Sequence, residues 1–386
     1  MQNNSIIRPR YFALQWHITE RCNWHCRHCY QKEGSRDDEL PLSGLFDIFK
    51  QYLRLIRHFG TLGPARSRLV IAGGEPLLRE DFFAFLERIH KYNKYFMTVL
   101  LTNGSLIDAV CGRRLKRLGV ETCQVSLEGL EGNNDAVRGE GAFNKTTRAI
   151  EILVKSRIKV VVCLTLTKNN VPDIMPLIRL CGKLGVSQVG LRRLVPLGRA
   201  DAIKGLLLQP FALRKVYLRL EKEIRKPGNK KKRPALVGGC DESIFCQEIN
   251  RPLINCGVTE GRMLTLLPDG KVIPCRRLPL EVGDATRDDL LNIYYGSARM
   301  EQLRNLDNCF AACRECGFFD SCLSGARCIS YSYFGRFSSP DPQCWKMFKV
   351  LPPPDFLKNK KDIISKTKKV HFTLLPRLFR QFDKKV

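Results

Sequence analysis

Ala13-Leu14-Gln15-Trp16-His17-Ile18 runs straight into Thr19-Glu20-Arg21-Cys22-Asn23-Trp24-His25-Cys26-Arg27-His28-Cys29-Tyr30. A short apolar run of strand length therefore ends in a polar loop that carries three thiols. The spacing, Cys22-x3-Cys26-x2-Cys29, gathers three potential thiolates within eight residues. Three thiolates ligate three irons of a four-iron cubane and leave the fourth iron open to a chelating ligand. A ferredoxin-type site with four cysteines has no such opening. Zinc is the competing reading, with His25 or His28 as the fourth ligand, although zinc sites favour two-residue spacing within a pair.

Working outward, strand and helix patterns alternate as far as about Val195. Strands are predicted at Ala13–Ile18, Leu69–Ala72, Met97–Leu101, Thr122–Ser126, Val160–Leu166 and Gln188–Arg192. Helices are predicted at Ser43–His58, Asp81–Tyr92, Leu106–Leu118, Asn144–Lys155, Val171–Leu184 and Pro210–Ile224. Leu45, Ile48, Phe49, Leu53 and Ile56 recur at helical spacing and mark one buried stripe. Asp173, beyond Pro172, reads as a helix start and Gly119 as a stop. Six strand–helix units imply parallel strands with right-handed crossovers, so the loops after the strands collect at one end of the sheet. α/β ligand sites lie at that end. The thiols follow the first strand, Gly73-Gly74-Glu75-Pro76 the second, Asn103-Gly104 the third and Ser126 to Gly129 the fourth.

Composition bounds the class. The 386 residues are 44% hydrophobic, enough for a packed core. No run approaches the roughly 20 apolar residues of a membrane span. The first ten residues lack a secretory signal, so a cytoplasmic location is expected. Lys and Arg outnumber Asp and Glu by 65 to 38, a formal charge of +27. The excess is densest at Lys230–Arg233 and beyond Val350, and suits an acidic peptide, an anionic surface or nucleic acid. No groove-reading motif accompanies it, which disfavours nucleic acid. Seventeen cysteines without a signal peptide argue for metal rather than disulfides. Ten of them crowd into Cys240–Cys344.

The loop around Cys22, Cys26 and Cys29 resembles the cluster loop of the radical S-adenosylmethionine (radical SAM) superfamily. Gly73, Gly74, Glu75 and Pro76 are similar to its GGEP motif, which receives the amino group of S-adenosylmethionine. The segment holding Ser126 and Glu128 resembles the one that meets the ribose. Arg138 matches a position that pairs with the cofactor carboxylate, and His28 the slot whose backbone reads the adenine. The resemblance spans about residues 12–195 and implies a partial (β/α)6 TIM-like barrel. It also implies that a [4Fe–4S] cluster reductively cleaves S-adenosylmethionine to a 5′-deoxyadenosyl radical, which takes a hydrogen from the substrate. An electron donor such as flavodoxin or ferredoxin is implied as a partner.

Beyond a basic Pro/Gly linker at Lys226–Ala235, periodicity fades. Arg262–Leu267 and Lys271–Cys275 flank Pro268-Asp269-Gly270 and read as a hairpin. Cys256, Cys275, Cys313-x2-Cys316-x5-Cys322 and Cys344 resemble the SPASM domain, a small cysteine-rich α+β module with auxiliary iron–sulfur clusters. The resemblance assigns Cys313, Cys316, Cys322 and Cys344 to a distal cluster. Cys256 and Cys275 match two ligands of a proximal one. A further ligand of that cluster is replaced by Ala326, with Cys328 two positions on and Cys240, Cys246 and Cys309 as other candidates. Sulfatase-maturing relatives carry an Asp after the hairpin cysteine, where this chain has Arg276. The expected organisation is a barrel at 1–208, helix and linker at 209–239, SPASM at 240–348 and a basic tail at 349–386.

Two substrate classes follow. SPASM enzymes commonly act on ribosomally made peptides, a maturase role that suits a basic surface; a separate recognition protein would then deliver the peptide. The stretch from Arg327 to Ser339-Pro340-Asp341-Pro342-Gln343-Cys344 also resembles haem-biosynthetic radical enzymes, which points to a tetrapyrrole. A non-catalytic electron-transfer or binding protein is a third possibility, against which the intact GGEP-type motif counts.

Overall fold

The computed structural model of the chain describes residues 8–31, 39–225, 234–237, 240–245 and 255–347. The linker read at Lys226–Ala235 lies outside these apart from its last two residues. The tail at 349–386, with an amphipathic segment read at Val370–Phe382, lies outside them altogether.

Six strands, β1 (Phe12–His17), β2 (Ser67–Ala72), β3 (Met97–Thr102), β4 (Val120–Ser126), β5 (Lys159–Leu166) and β6 (Gln188–Arg193), lie side by side in chain order. All of their pairings are parallel. The helices that follow them are α1 (Leu42–Phe59), α2 (Phe82–His90), α3 (Ala109–Arg117), α4 (Glu131–Arg138), α5 (Ala142–Lys155), α6 (Ile174–Lys183) and α7 (Pro210–Arg225). This is the expected alternation with one addition, α4. Asp173 stands at the N-cap of α6 as read, but its carboxylate makes no capping bond and accepts instead from the Leu130 amide at 2.9 Å and the Asn133 side chain at 2.8 Å.

The sheet continues past both ends of this series. β7 (Ala235–Val237) pairs in parallel with β6, and β8 (Met263–Leu266) in parallel with β1. β9 (Lys271–Ile273) and β10 (Gly283–Asp284) then turn back antiparallel, giving the order β10-β9-β8-β1-β2-β3-β4-β5-β6-β7. The sheet is a partial barrel that does not close, and the hairpin read from the sequence is built into its β1 edge. Among the described residues the second region adds five short α-helices: α8 (Leu290–Gly296), α9 (Ala298–Arg304), α10 (Ala311–Arg314), α11 (Phe319–Cys322) and α12 (Arg327–Phe334).

The sheet has a dry outer face and an open inner one. Phe12, Leu14 and Trp16 are fully buried against the helices, Phe12 on Phe59 of α1 and Trp16 on Phe85 of α2. Each such side chain contributes about 1.5–3 kcal/mol by leaving water. Their neighbours Ala13 and Gln15 point to the other face and are half-buried, as are Gln124 and Ser126 on β4. The stripe of α1 buries Leu45, Ile48, Phe49 and Ile56 as expected, but uses Tyr52 and Leu55 where Leu53 was expected. No helix of the described residues is long and apolar enough to cross a membrane.

Candidate active site

The thiol loop leaves the carboxyl end of β1 and is fastened along its length. The Gly74 amide donates to the Thr19 carbonyl at 2.9 Å and the Glu75 amide to the Arg21 carbonyl at 2.8 Å. This zipper explains the paired glycines. A Cβ on Gly73 would lie 2.5 Å from the Thr19 oxygen, and one on Gly74 would strike the Glu20 and Arg21 carbonyls. Further along, the Arg27 amide donates to Val137 and the Ala200 amide to Cys29, while Arg199 Nε donates to the Cys26 carbonyl at 3.1 Å. Cys26 is buried; Cys22 and Cys29 are half-buried. Burial pushes up the Cys22 and Cys26 thiols, and the Arg138 guanidinium works against it at Cys26. His25 is exposed, and His28 is turned to Glu128.

Glu75 turns inward. Its oxygens accept from the Thr102 hydroxyl at 2.9 and 3.0 Å, from the Asn103 amide at 2.7 Å and from the Leu77 amide at 3.3 Å. Fully enclosed, the carboxyl is pushed by burial up to about 7, in spite of these donors. Glu75 therefore ties the GGEP turn to the end of β3 and has no exposed surface. Asn103, beside it, donates to Asn23 Oδ1 at 2.9 Å and reaches Cys22 Sγ at 3.9 Å.

On the opposite side of the loop stand Glu128, Arg138 and His28. Arg138 Nη2 meets Glu128 Oε1 at 2.5 Å and Arg138 Nη1 points to Cys26 Sγ at 3.7 Å. His28 Nε2 lies 3.0 Å from the same Glu128 oxygen, and the Thr165 amide donates to the other at 2.6 Å. Burial alone would raise the Glu128 carboxyl, but His28 and Arg138 outweigh it and hold the group at about 2. Asn170, which the sequence did not single out, fixes this corner: its amide donates to the Glu128 and Thr165 carbonyls and accepts from the Thr167 amide. Arg138 Nε and His28 Nδ1 are buried with no hydrogen-bond partner. Such groups are rare in folded proteins, and each of these two has a hydrogen bond still to make.

The inner face of the barrel is polar below the loop. His17 sits between Gln15, 2.8 Å from its Nε2, and Gln31, 3.2 Å from its Nδ1. Burial, and then the Arg276 charge, hold the imidazole well below its ordinary value, so it is neutral. Arg276 itself comes from the loop after β9. Its Nη2 meets Glu20 Oε2 at 2.5 Å, and Arg277 Nη2 donates to the Arg193 carbonyl at 2.8 Å. One short loop thus spans the mouth from the end of β1 to the end of β6.

In the second region Cys313, Cys316, Cys322 and Cys344 line one cavity together with Ile244, Phe318, Phe319 and Asp341. Burial raises the Cys313 thiol to about 12 and the Cys344 thiol to about 11, with neighbouring thiols adding to it. The thiols surround a space rather than a point: among the described residues no three metal-binding side chains are close enough to share a single ion. Cys275 lies on the mouth loop near Tyr30, Cys256 is buried before β8, and Cys328 is buried in α12. Arg327 Nη2 donates to Cys309 Sγ at 2.9 Å. Cys246 and the side chain of Cys240 lie outside the described residues. Sequence reasoning also missed the buried fork of Arg193 onto Asp341, at 2.9 and 2.7 Å, because 148 positions separate the two.

The chain matches the radical SAM superfamily over residues 16–181 and the iron–sulfur cluster-binding SPASM domain over residues 256–317. It belongs to the radical SAM superfamily. Among its relatives is an AdoMet-dependent heme synthase of Methanosarcina barkeri, 26% identical over 87% of this chain and 96% of that one. Another is the mycofactocin maturase of Mycolicibacterium smegmatis, 29% identical over 86% of this chain and 82% of that one. The fold is shared with Streptococcus suis SuiB bound to its precursor peptide SuiA, at TM-score 0.68 and 16% identity over 87% of this chain and 76% of that one. It is shared too with anSMEcpe bound to AdoMet, at TM-score 0.68 and 18% identity over 93% and 100% of the two chains. The radical SAM enzyme accordingly uses a [4Fe–4S] cluster and S-adenosylmethionine, with auxiliary iron–sulfur clusters in its SPASM domain. The loop fits that requirement, with three thiols on one side and two buried, unpartnered nitrogens on the other.

Proposed function

We propose that Cys22, Cys26 and Cys29 hold the cluster, and that Arg138, His28, Ser126 and the Gly73–Pro76 turn enclose S-adenosylmethionine above the open barrel. The bound pair supplies a one-electron cleavage and a radical able to take hydrogen. The protein's own part is positional. Gly73 and Gly74 let the loop seat, Glu75 pins the turn to β3, and Glu128 aims Arg138. A set of four thiols, Cys313, Cys316, Cys322 and Cys344, holds a closed auxiliary cluster; Cys256, Cys275 and Cys328 serve a second one. The first reading of the substrate is a ribosomally made peptide, delivered by a separate recognition protein, with electrons from a flavodoxin or ferredoxin. The second is a tetrapyrrole, favoured by the near end-to-end match to the heme synthase of Methanosarcina barkeri.

The observation that carries the proposal is the thiol loop facing the buried, unsatisfied Arg138 and His28 nitrogens. Replacing Cys22, Cys26 and Cys29 together by Ala abolishes 5′-deoxyadenosine release under anaerobic reduction, yet leaves about four to eight irons in the SPASM domain. Continued release from the triple variant would overturn the central assignment. Mass spectrometry of small peptides encoded beside the enzyme, and of porphyrins incubated with it, separates the two substrate readings.

A further inference from the structure

We propose that Arg276 anchors a carboxylate of the substrate, and that Glu20 occupies that anchor until the substrate arrives. The inference rests on the barrel being the substrate chamber and names the chemistry the chamber selects. Arg276 stands on the loop that crosses the barrel mouth, beside Cys275 and opposite the thiol loop. Its side chain is only 10% exposed, and Glu20 is 14% exposed. Nη2 is engaged by Glu20, while Nε is buried with no hydrogen-bond partner. A guanidinium presents its donors in a planar fork that a carboxylate meets with two bonds, and here one side of the fork is left open.

The surroundings sharpen the selection. His17 is held between two glutamines and adds no charge. Arg192 follows Gly190 on the same face of β6, and its Nη1 donates to the Leu191 carbonyl at 3.1 Å. Arg277, next in the loop, reaches the end of β6. Arg276 and Arg277 thus stand side by side on this loop, and the Glu128 carboxylate is already matched by Arg138. A carboxylate entering such a site exchanges with Glu20, which starts the thiol loop; substrate arrival is thereby felt at the loop that carries Cys22. Both substrate readings supply this group, as an acidic or C-terminal carboxylate of a peptide or as the acid side chains of a tetrapyrrole.

The test is equilibrium binding to the anaerobically reconstituted full chain. Coproporphyrin III is titrated by fluorescence against its tetramethyl ester, which keeps the ring and removes the charge. In a second arm, a fluorescein-labelled hexaglutamate peptide is compared with its hexaglutamine counterpart. The acidic probe of one arm binds the wild type, and Arg276→Gln weakens it by about tenfold or more, the loss expected for a charge-assisted fork. Glu20→Gln instead tightens it, because the competing carboxylate is gone. The arm that responds identifies the source of the carboxylate. A strut that merely joined the two regions would make both substitutions weaken binding, and that result overturns the proposal. So does failure of both acidic probes to bind, or unchanged affinity in both variants. If Arg276→Gln does not fold, the sign of the Glu20→Gln effect still decides. Wild-type 5′-deoxyadenosine release, measured alongside, separates failure of the anchor from failure of the functional reading.

Discussion

Arg138 does two jobs with one guanidinium: it neutralises Glu128 and points a donor at Cys26. Its removal is therefore not a clean deletion of a cofactor contact. Arg138→Ala leaves a carboxylate that is 2% exposed stranded with His28 alone beside it, and breaking a buried pair from one side costs about 3–5 kcal/mol. The expected result is a lower melting temperature and loss of iron from the thiol loop, together with weaker binding of S-adenosylmethionine. In Glu128→Gln/Arg138→Ala the stranded charge is gone, so melting and iron content recover while cofactor affinity stays low. Melting, iron analysis and calorimetric titration of the two variants check this; a double variant no more stable than the single one would refute the pairing. The contact that makes the difference, Glu128 to Arg138, joins a loop to a helix ten positions on, and only the resemblance brought the two residues to notice.

At the scale of elements, the Gly73–Glu75 turn is a clasp as much as a binding motif. Gly74→Ala drives a methyl group against the Glu20 and Arg21 carbonyls, which cannot retreat without unzipping the start of the thiol loop. We expect this variant to lose about four irons while the SPASM domain keeps its own, as read by iron analysis and electron paramagnetic resonance. Much of the architecture that positions this clasp was legible beforehand. The six barrel strands and their helices are long and strongly periodic, and predicted and observed ends differ by about three residues at most. The helix α4 was not legible: its Glu-Gly-Asn-Asn-Asp beginning is poor in helix formers and is held by tertiary contacts. The three-residue β7 is too short to show a period, and nothing local reveals that β8 lies beside β1. Within the site, spacing disclosed the thiols. The inward turn of Glu75 depends on the end of β3, which the motif itself does not contain.

Across the whole molecule, the two regions are joined where β6 ends. Arg193 forks onto Asp341, both side chains 1% exposed, while its carbonyl accepts from Arg277; Asp341 also accepts from the Ala326 amide at 3.1 Å. Asp341→Ala removes the buried carboxylate onto which Arg193 forks, a loss again of about 3–5 kcal/mol. In anaerobic urea unfolding the cysteine-rich region should then come apart ahead of the barrel, giving two transitions where the wild type gives one. A single, unshifted transition would show that the fork holds nothing together. The same long reach bears on how the chain is made. Ala13 pairs with Met263, so the first strand emerges from the ribosome with one edge bare and keeps it bare until β8 follows. At about 5–20 residues per second that interval is on the order of tens of seconds. Throughout it the thiol loop hangs from an unfinished sheet, uncovered by the loop that later bridges the mouth. Iron delivered during synthesis would meet an accessible site, and iron delivered afterwards would have to pass Arg276.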